Sequence, residues 1–238
     1  MDNKIMANHY RNEVSTPWGR LFYRLVWNHL DLNGMKILDF GSGLGVSADH
    51  FAKANEVIAV EPDDEMIQHR LTSHVYQQLY GSLDCLDEIP ESSIDVVLCH
   101  NVLEYMEERE SLFDQFHRVL KPDGFISVVK HNRNGTIMQR AVFDYATDEA
   151  MMLLDQGEIV SRHFGRINDY ELQAMERFAC AFEIMDIYGV RMFYGLQQNA
   201  IKQEKDWEEN MFALECRAEQ IPALRDIAIY HHVILRKK

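Results

Sequence analysis

Asp39, Gly41, Gly43 and Gly45 stand in the order Asp-x-Gly-x-Gly-x-Gly within Met35–Gly45, a stretch that opens apolar at Ile37 and Leu38 and runs into a helix-forming segment at Val46. A short apolar strand that breaks into alternating glycines ahead of a helix makes a cradle for a nucleotide. The three glycines let the backbone bend sharply and approach a ligand with no β-carbon in the way. Ser42 lies between them, and the helix behind offers unpaired N–H groups. Val46 occupies the place where a dinucleotide fingerprint has its last glycine.

The acid ahead of the glycines separates two classes of ligand. A pyrophosphate at the carboxyl end of this strand would be repelled by Asp39, whereas an ammonium or sulfonium would be attracted. S-adenosylmethionine, with a positive sulfur and an α-amino group beside an adenosine, suits that charge. The plain alternative is a buried aspartate that caps the turn.

More polar residues follow at the ends of apolar runs. Glu56–Glu61 reads as a buried parallel strand, and Glu61 falls 20 residues after Gly41, where an open α/β sheet places a carboxylate for ribose hydroxyls. Pro62 begins the next helix, acidic in its first turn, with Met66 placed either beside an adenine or simply in the core. Residues 75–80 form an edge strand, after which Asp84 can accept an exocyclic amine and the backbone at Leu83 or Cys85 can meet the ring. The run from Ser93 delivers His100 to the same edge.

These residues need a scaffold, and the chain supplies one. At 238 residues, 47% hydrophobic and 26% charged, it has the composition of a globular domain able to bury a large core. A net charge of −14 argues against nonspecific nucleic-acid or membrane-surface binding, without excluding a structured RNA in a local basic cleft. The N-terminal residues lack a signal-peptide core and no run reaches membrane-span length, so a cytoplasmic protein is expected. Cys85, Cys99, Cys180 and Cys216 are scattered, and no metal is expected. His231 and His232 are adjacent on a strand and point to opposite faces.

In chain order, 1–34 is a polar lead followed by an amphipathic helix from Thr16-Pro17. It either brings Tyr10, Arg11, Trp18 or Arg20 over the ligand mouth or merely packs on the sheet. Residues 35–131 and 168–238 form the main domain, and 132–167 is an inserted helical cap, Met-rich with exposed basic residues including Arg162, His163 and Arg166. A structural flap or a dimer contact would explain that segment equally well, and oligomeric state stays open. Helices are expected at 46–54, 109–120, 147–155, 168–182 (capped by Asn168-Asp169) and 206–220, the last with its acids on a solvated face. Lys121-Pro-Asp-Gly124 is a turn before a strand at 125–129, and strands at 182–194 and 227–236 complete the sheet. The βαβαβ alternation implies a doubly wound α/β sheet with helices on both faces and the ligand across its carboxyl edge.

Ile37-Leu-Asp-Phe-Gly-Ser-Gly-Leu-Gly45, Val60-Glu-Pro62, Ile94-Asp-Val-Val97 and Arg118-Val-Leu-Lys-Pro-Asp-Gly124 resemble the class I S-adenosylmethionine-dependent methyltransferases, although Asp123 stands where glycine is commoner. The resemblance implies seven strands in the order 3-2-1-4-5-7-6, the last antiparallel. It also implies that Asp39 and the glycine loop take the methionine end, Glu61 the ribose and Asp84 the adenine. Gly189-Val-Arg-Met-Phe193, Asn132-x-x-Gly135, His100 with Val102-Leu-Glu104 and Tyr230-x-His232-Val233 are similar to the branch of that family that methylates the carboxylate of a modified wobble uridine in bacterial tRNA.

On that likeness Arg191 pairs with a substrate carboxylate or phosphate, or else makes an ion pair at a strand end. Trp18, Asn132 and Tyr194 join it as candidate substrate contacts. A carboxylate acceptor is already deprotonated at neutral pH and needs no base. A hydroxyl acceptor would need one, and His100 or Tyr194 stand first by position. A small-molecule methyltransferase and a non-catalytic S-adenosylmethionine-binding protein are the alternatives.

Overall fold

A computed structural model describes residues 3–161 and 165–238, so Arg162, His163 and Phe164 of the expected cap lie outside the described residues. Two helices lead, α1 (Asn3–Ser15) and α2 (Pro17–Asn28). Then come β1 (Lys36–Phe40), α3 (Val46–Phe51), β2 (Glu56–Glu61), α4 (Asp64–Gln68), β3 (Gln77–Tyr80), β4 (Ile94–His100), α5 (Arg109–Val119) and β5 (Leu120–His131). The chain continues through α6 (Arg133–Met138), α7 (Thr147–Leu154), the strands β6 (Ile159–Ser161) and β7 (Gly165–Ile167), and α8 (Leu172–Phe178). It closes with β8 (Phe182–Val190), α9 (Trp207–Ala218), α10 (Pro222–Arg225) and β9 (Tyr230–Lys237).

Seven strands form one sheet in the order β3-β2-β1-β4-β5-β9-β8, and β6 pairs only with β7. Without that hairpin the order is 3-2-1-4-5-7-6, and β9 runs antiparallel to both neighbours, as expected. The central strands are continuous apolar runs because helices cover both faces: Ile37, Leu38 and Val96 to Cys99 are all 0% exposed. Side chains alternate between those faces. Leu38, Phe40, Val97 and Cys99 meet Phe113 and Phe116 of α5 and Phe178 of α8. Ile37, Val96 and Leu98 meet Ala48 and Phe51 of α3. Burying each such phenylalanine contributes roughly 1.5–3 kcal/mol. No helix among the described residues is long and apolar enough to cross a membrane.

Several boundaries differ from expectation for identifiable reasons. The polar lead is itself helical, and Thr16 separates α1 from α2 by accepting the Gly19 N–H on its hydroxyl (3.0 Å), with Pro17 at the first helical position. Lys121 to Gly124 do not end a helix-to-strand turn. They bulge within β5, whose pairing with β4 passes from Leu120↔Ile94 to Phe125↔Val96. Asp169 does not cap α8, because it grips the Arg133 guanidinium at 2.8 and 2.9 Å, and Glu171 holds the cap position.

Candidate active site

The carboxyl ends of β1, β2, β4 and β5 open into a cavity of about 540 Å³. Asp39, Gly41, Ser42 and Gly43 line one end, Glu61, Pro62 and Met66 continue it, and His100 stands at the end of β4. Tyr10, Glu13 and Trp18 of the leading helices cover it. Gln139, Arg140, Val160 and Ser161 of the 132–167 segment wall it, with His131, Arg191 and Tyr230 at the far edge. Both leading helices therefore reach the ligand mouth rather than only packing on the sheet.

Gly41, Gly43 and Gly45 have φ of +75, +54 and +67°, the left-handed region that L side chains avoid. A β-carbon on Gly41 would collide with Val102 and one on Gly45 with the Tyr76 hydroxyl, so these two close the turn against the protein. The same atom on Gly43 would meet only Tyr10 at 3.7 Å, so Gly43 is where backbone is bared to the cavity. Gly45 does not reach the cavity wall.

Asp39 is 4% exposed. It accepts a backbone hydrogen bond from Ala48, yet its Oδ2 is buried with no hydrogen-bond partner. Burial pushes its pKa up to about 7, the Ala48 bond pulls the other way, and the charge of Glu61 adds to the rise. A buried, half-satisfied carboxylate facing a cavity is a seat for a cation. Glu61 accepts the N–H groups of Gly43 (2.7 Å) and Asp63 (2.9 Å), and burial still raises its pKa against those bonds.

Of the other expected site residues, Pro62, Met66, His100, Trp18 and Arg191 line this cavity. Met66, 2% exposed, also packs on Leu44 and Val46, so it is wall and core together. Leu83 and Asp84 lie in an adjoining depression that shares Ser82, Tyr105 and Met106 with the main cavity, and Asp84 accepts the Ser82 N–H at 3.0 Å.

Two of the candidate substrate contacts are not brought to the cavity. Asn132 spends its side-chain N–H groups on the carbonyls of Asp226 (3.0 Å) and Ala228 (2.7 Å), clamping the start of α6 to the segment before β9. Tyr194 is 0% exposed, packed beside Trp207 among side chains of α2 and α9, and cannot meet an acceptor. His100 reaches the cavity, but its Nε2 is engaged with Ser127 Oγ at 2.8 Å. From there the bonds run on from Ser127 to His232 (2.7 Å), to His29 (2.7 Å) and to Glu219 (2.9 Å). Burial pushes the His100 pKa down to about 3 and keeps the ring neutral.

Arg191 owes its place to a residue that spacing hides. It has φ +67°, and the turn after it is held by Glu215, 0% exposed, which accepts the N–H groups of Met192 (3.0 Å), Phe193 (2.8 Å) and Tyr194 (3.3 Å). The expectation that the acids of α9 form a solvated face holds only in part. Glu208 and Glu209 pair with Arg20 and Arg24 of α2, while Glu215 points inward. Nothing in an acidic amphipathic run separates the two behaviours beforehand.

The sheet order, the glycine bend and the half-satisfied acid define the S-adenosylmethionine-dependent methyltransferases, and comparison agrees. A methyltransferase-domain family model matches residues 38–128. The ubiquinone biosynthesis O-methyltransferase of Pseudomonas aeruginosa LESB58 is 30% identical over 167 residues, 67% of this chain and 69% of that protein. The chain belongs to this family: it is a methyltransferase with S-adenosylmethionine as its cofactor. The tRNA 5-carboxymethoxyuridine methyltransferase of Escherichia coli K12 is 26% identical over 245 residues, 95% of this chain and 92% of that protein. Among solved structures, an S-adenosylmethionine-dependent methyltransferase from Mesorhizobium loti superposes with a TM-score of 0.61 at 16% identity, covering 91% of this chain and 98% of that one.

Proposed function

We propose that this enzyme transfers a methyl group to an oxygen acceptor, a carboxylate on a modified wobble uridine of tRNA. The observation that carries the reading is the pairing of opposite charges across one cavity: the unpartnered Asp39 carboxylate oxygen, and Arg191, whose Nε is buried with no hydrogen-bond partner. The residues present fit the cofactor. Asp39 would hold its α-amino group, the bared backbone at Gly43 its methionine end, and Glu61 its ribose. Met66 and Pro62 would flank the adenine, with Asp84 and the Leu83 backbone at its edge. When bound, S-adenosylmethionine supplies an electrophilic methyl group on a positive sulfur. The protein's own work is to hold the acceptor oxygen in line at about 3 Å and to exclude water. Arg191 would fix a carboxylate bidentately, and no base is required for an acceptor that is already ionised. The likeness to the E. coli tRNA enzyme across 95% of the chain supports the acceptor and a cytoplasmic place of action.

The net charge of −14 and the similarity to ubiquinone O-methyltransferases favour a small-molecule acceptor as the second reading. Mass spectrometry of tRNA nucleosides from a deletion strain decides between them. Loss of a methyl ester at the wobble position is expected, and unchanged wobble nucleosides would remove the tRNA acceptor. S-adenosylhomocysteine should raise the melting temperature of the wild type, and Asp39→Ala should abolish that rise.

A further inference from the structure

Several polar side chains of the cavity wall are already spent on the protein. Glu61 accepts from Gly43, His100 is engaged with Ser127, Arg140 donates to Asp144 at 2.7 Å, and Tyr10 shares a 2.6 Å bond with Tyr23. Among the described residues, the wall's buried side-chain polar atoms with no hydrogen-bond partner are Asp39 Oδ2, Ser42 Oγ, Asn101 Oδ1 and Arg191 Nε. Asp39 and Ser42 belong with the glycine bend and the methionine end of the cofactor, and Arg191 with the acceptor carboxylate. Asn101 is left without a task. An amide oxygen buried unpaired costs free energy that a ligand's N–H can recover.

Asn101 follows the last residue of β4 in the left-handed region, at φ +57°. A glycine would take that angle without strain, so the bend itself needs nothing from an amide side chain. Both flanks of the bend are fixed. The Asn101 N–H donates to the Val129 carbonyl of β5 at 2.8 Å, and Glu104, 1% exposed, accepts the His131 N–H at 2.6 Å. Val102 fills the space beside Gly41, so the same turn leans on the glycine bend. In the sheet β4 lies between β1, which carries Asp39, and β5, beyond which come β9 with Tyr230 and β8, which Arg191 follows. The Asn101 amide is therefore held between the methyl donor's end of the cavity and the acceptor's.

We propose that Asn101 reads the ring of the acceptor: its amide pairs with an imide edge, Oδ1 accepting the ring N–H and Nδ2 donating to the neighbouring ring carbonyl, while Arg191 holds the carboxylate. This contact rests on the tRNA reading and deepens it, since a uracil ring presents such an N–H between two carbonyls. An asparagine amide sets an acceptor and a donor side by side, which complements that edge bidentately. A phenol or quinol ring has no N–H to offer. Bound in the same place it would leave Oδ1 unpaired, so Asn101 selects against that class as well as for the imide.

The test uses the full chain with S-adenosylmethionine and two anticodon stem-loop RNAs, one carrying 5-carboxymethoxyuridine at the wobble position and one carrying the same nucleoside methylated on ring N3. The wild type should methylate the first, and the N3-methyl group should lower kcat/KM by about 10²-fold or more. Asn101→Gly keeps the bend, removes the amide and leaves room for the methyl group. It should lower kcat/KM on the first RNA by roughly 10- to 10²-fold and shrink the N3-methyl penalty to within about threefold, a change that loss of packing alone would not produce. Asn101→Asp keeps the size and tolerates the bend but loses the donor, and should also lower kcat/KM on the first RNA. Both variants should keep the melting-temperature rise with S-adenosylhomocysteine. An N3-methyl penalty as large in Asn101→Gly as in the wild type overturns the proposal, because another group then reads the ring. Loss of the S-adenosylhomocysteine rise in a variant that still unfolds cooperatively also overturns it, because the amide then serves the cofactor. Methylation of neither RNA by the wild type removes the tRNA reading and this contact with it, whereas methylation of both at like rates removes this contact alone.

Discussion

The substitution Asp39→Asn removes a charge that the ligand-free protein holds at a cost, and the cost has a pH signature. The carboxyl has an ordinary pKa of 3.8 and is pushed up to about 7 by burial in the folded chain. An acid whose folded pKa is raised contributes stability that is complete below pH 4 and is lost as pH rises through 7, because the folded state keeps a proton that the unfolded state has released. The full span corresponds to about 4 kcal/mol. The amide of the variant is neutral throughout, and any unpaired amide hydrogen it buries adds an offset that does not vary with pH. Urea unfolding of both proteins without ligand should therefore show the variant gaining on the wild type by about 4 kcal/mol between pH 4 and pH 8. For a chain of this length that is a relative rise in melting temperature of roughly 8–16 °C at pH 8. Saturating S-adenosylhomocysteine should reverse the order at pH 8, since its ammonium offsets the wild-type carboxylate and finds no charge in the variant. A stability difference that stays flat from pH 4 to pH 8 would refute the reasoning, because Asp39 would then be ionised in the folded protein without a cation.

Three further outcomes follow from the same physics. Glu215→Ala strands the N–H groups of Met192, Phe193 and Tyr194 in the interior and should cost about 3–5 kcal/mol in urea unfolding; a loss under 1 kcal/mol contradicts it. His100→Gln removes a ring whose pKa falls from 6.5 to about 3, so stability that the wild type loses as pH drops below 6.5 should be lost less steeply. The difference should reach about 3 kcal/mol at pH 4.5, and parallel curves in a pH series of urea unfolding would count against it. Gly43→Ala has space for its methyl group but keeps φ +54°, so it should fold with a loss of about 1–2 kcal/mol while the thermal shift with S-adenosylhomocysteine disappears; a full shift would show that nothing approaches that backbone.

What could be read in advance was whatever depends on residues near each other in the chain. The succession of strands and helices along the chain follows from apolar runs separated by turn chemistry, their order across the sheet came from the family resemblance, and Asp39, the glycines and Glu61 carry their meaning in their spacing. Residues that act across the fold were another matter. Glu104 and Glu215 look like any acids beside an amphipathic stretch, and only the return of β5 and the turn after β8 shows what each carboxylate holds. Asn132 and Tyr194 each follow the end of a strand near the cavity, which made them plausible contacts, but at such positions one side chain faces ligand and the next faces protein. The bulge at Lys121 to Gly124 misled in the same way, since a turn tetrapeptide bends the chain identically whether or not it leaves the sheet.

The file of side chains from His100 through Ser127, His232 and His29 to Glu219 has an orientation. With Glu219 accepting from His29 and every ring neutral, each hydrogen leans toward that outer acid, and His100 keeps its lone pair on Nδ1. Add one proton to His29 and the three bonds from it to His100 must reverse, while Glu219 goes on accepting from His29, so that the same nitrogen of His100 now presents a hydrogen. Whether a bound molecule meets a giver or a taker at His100 is thus settled at His29, the capping residue of α2, three hydrogen bonds away.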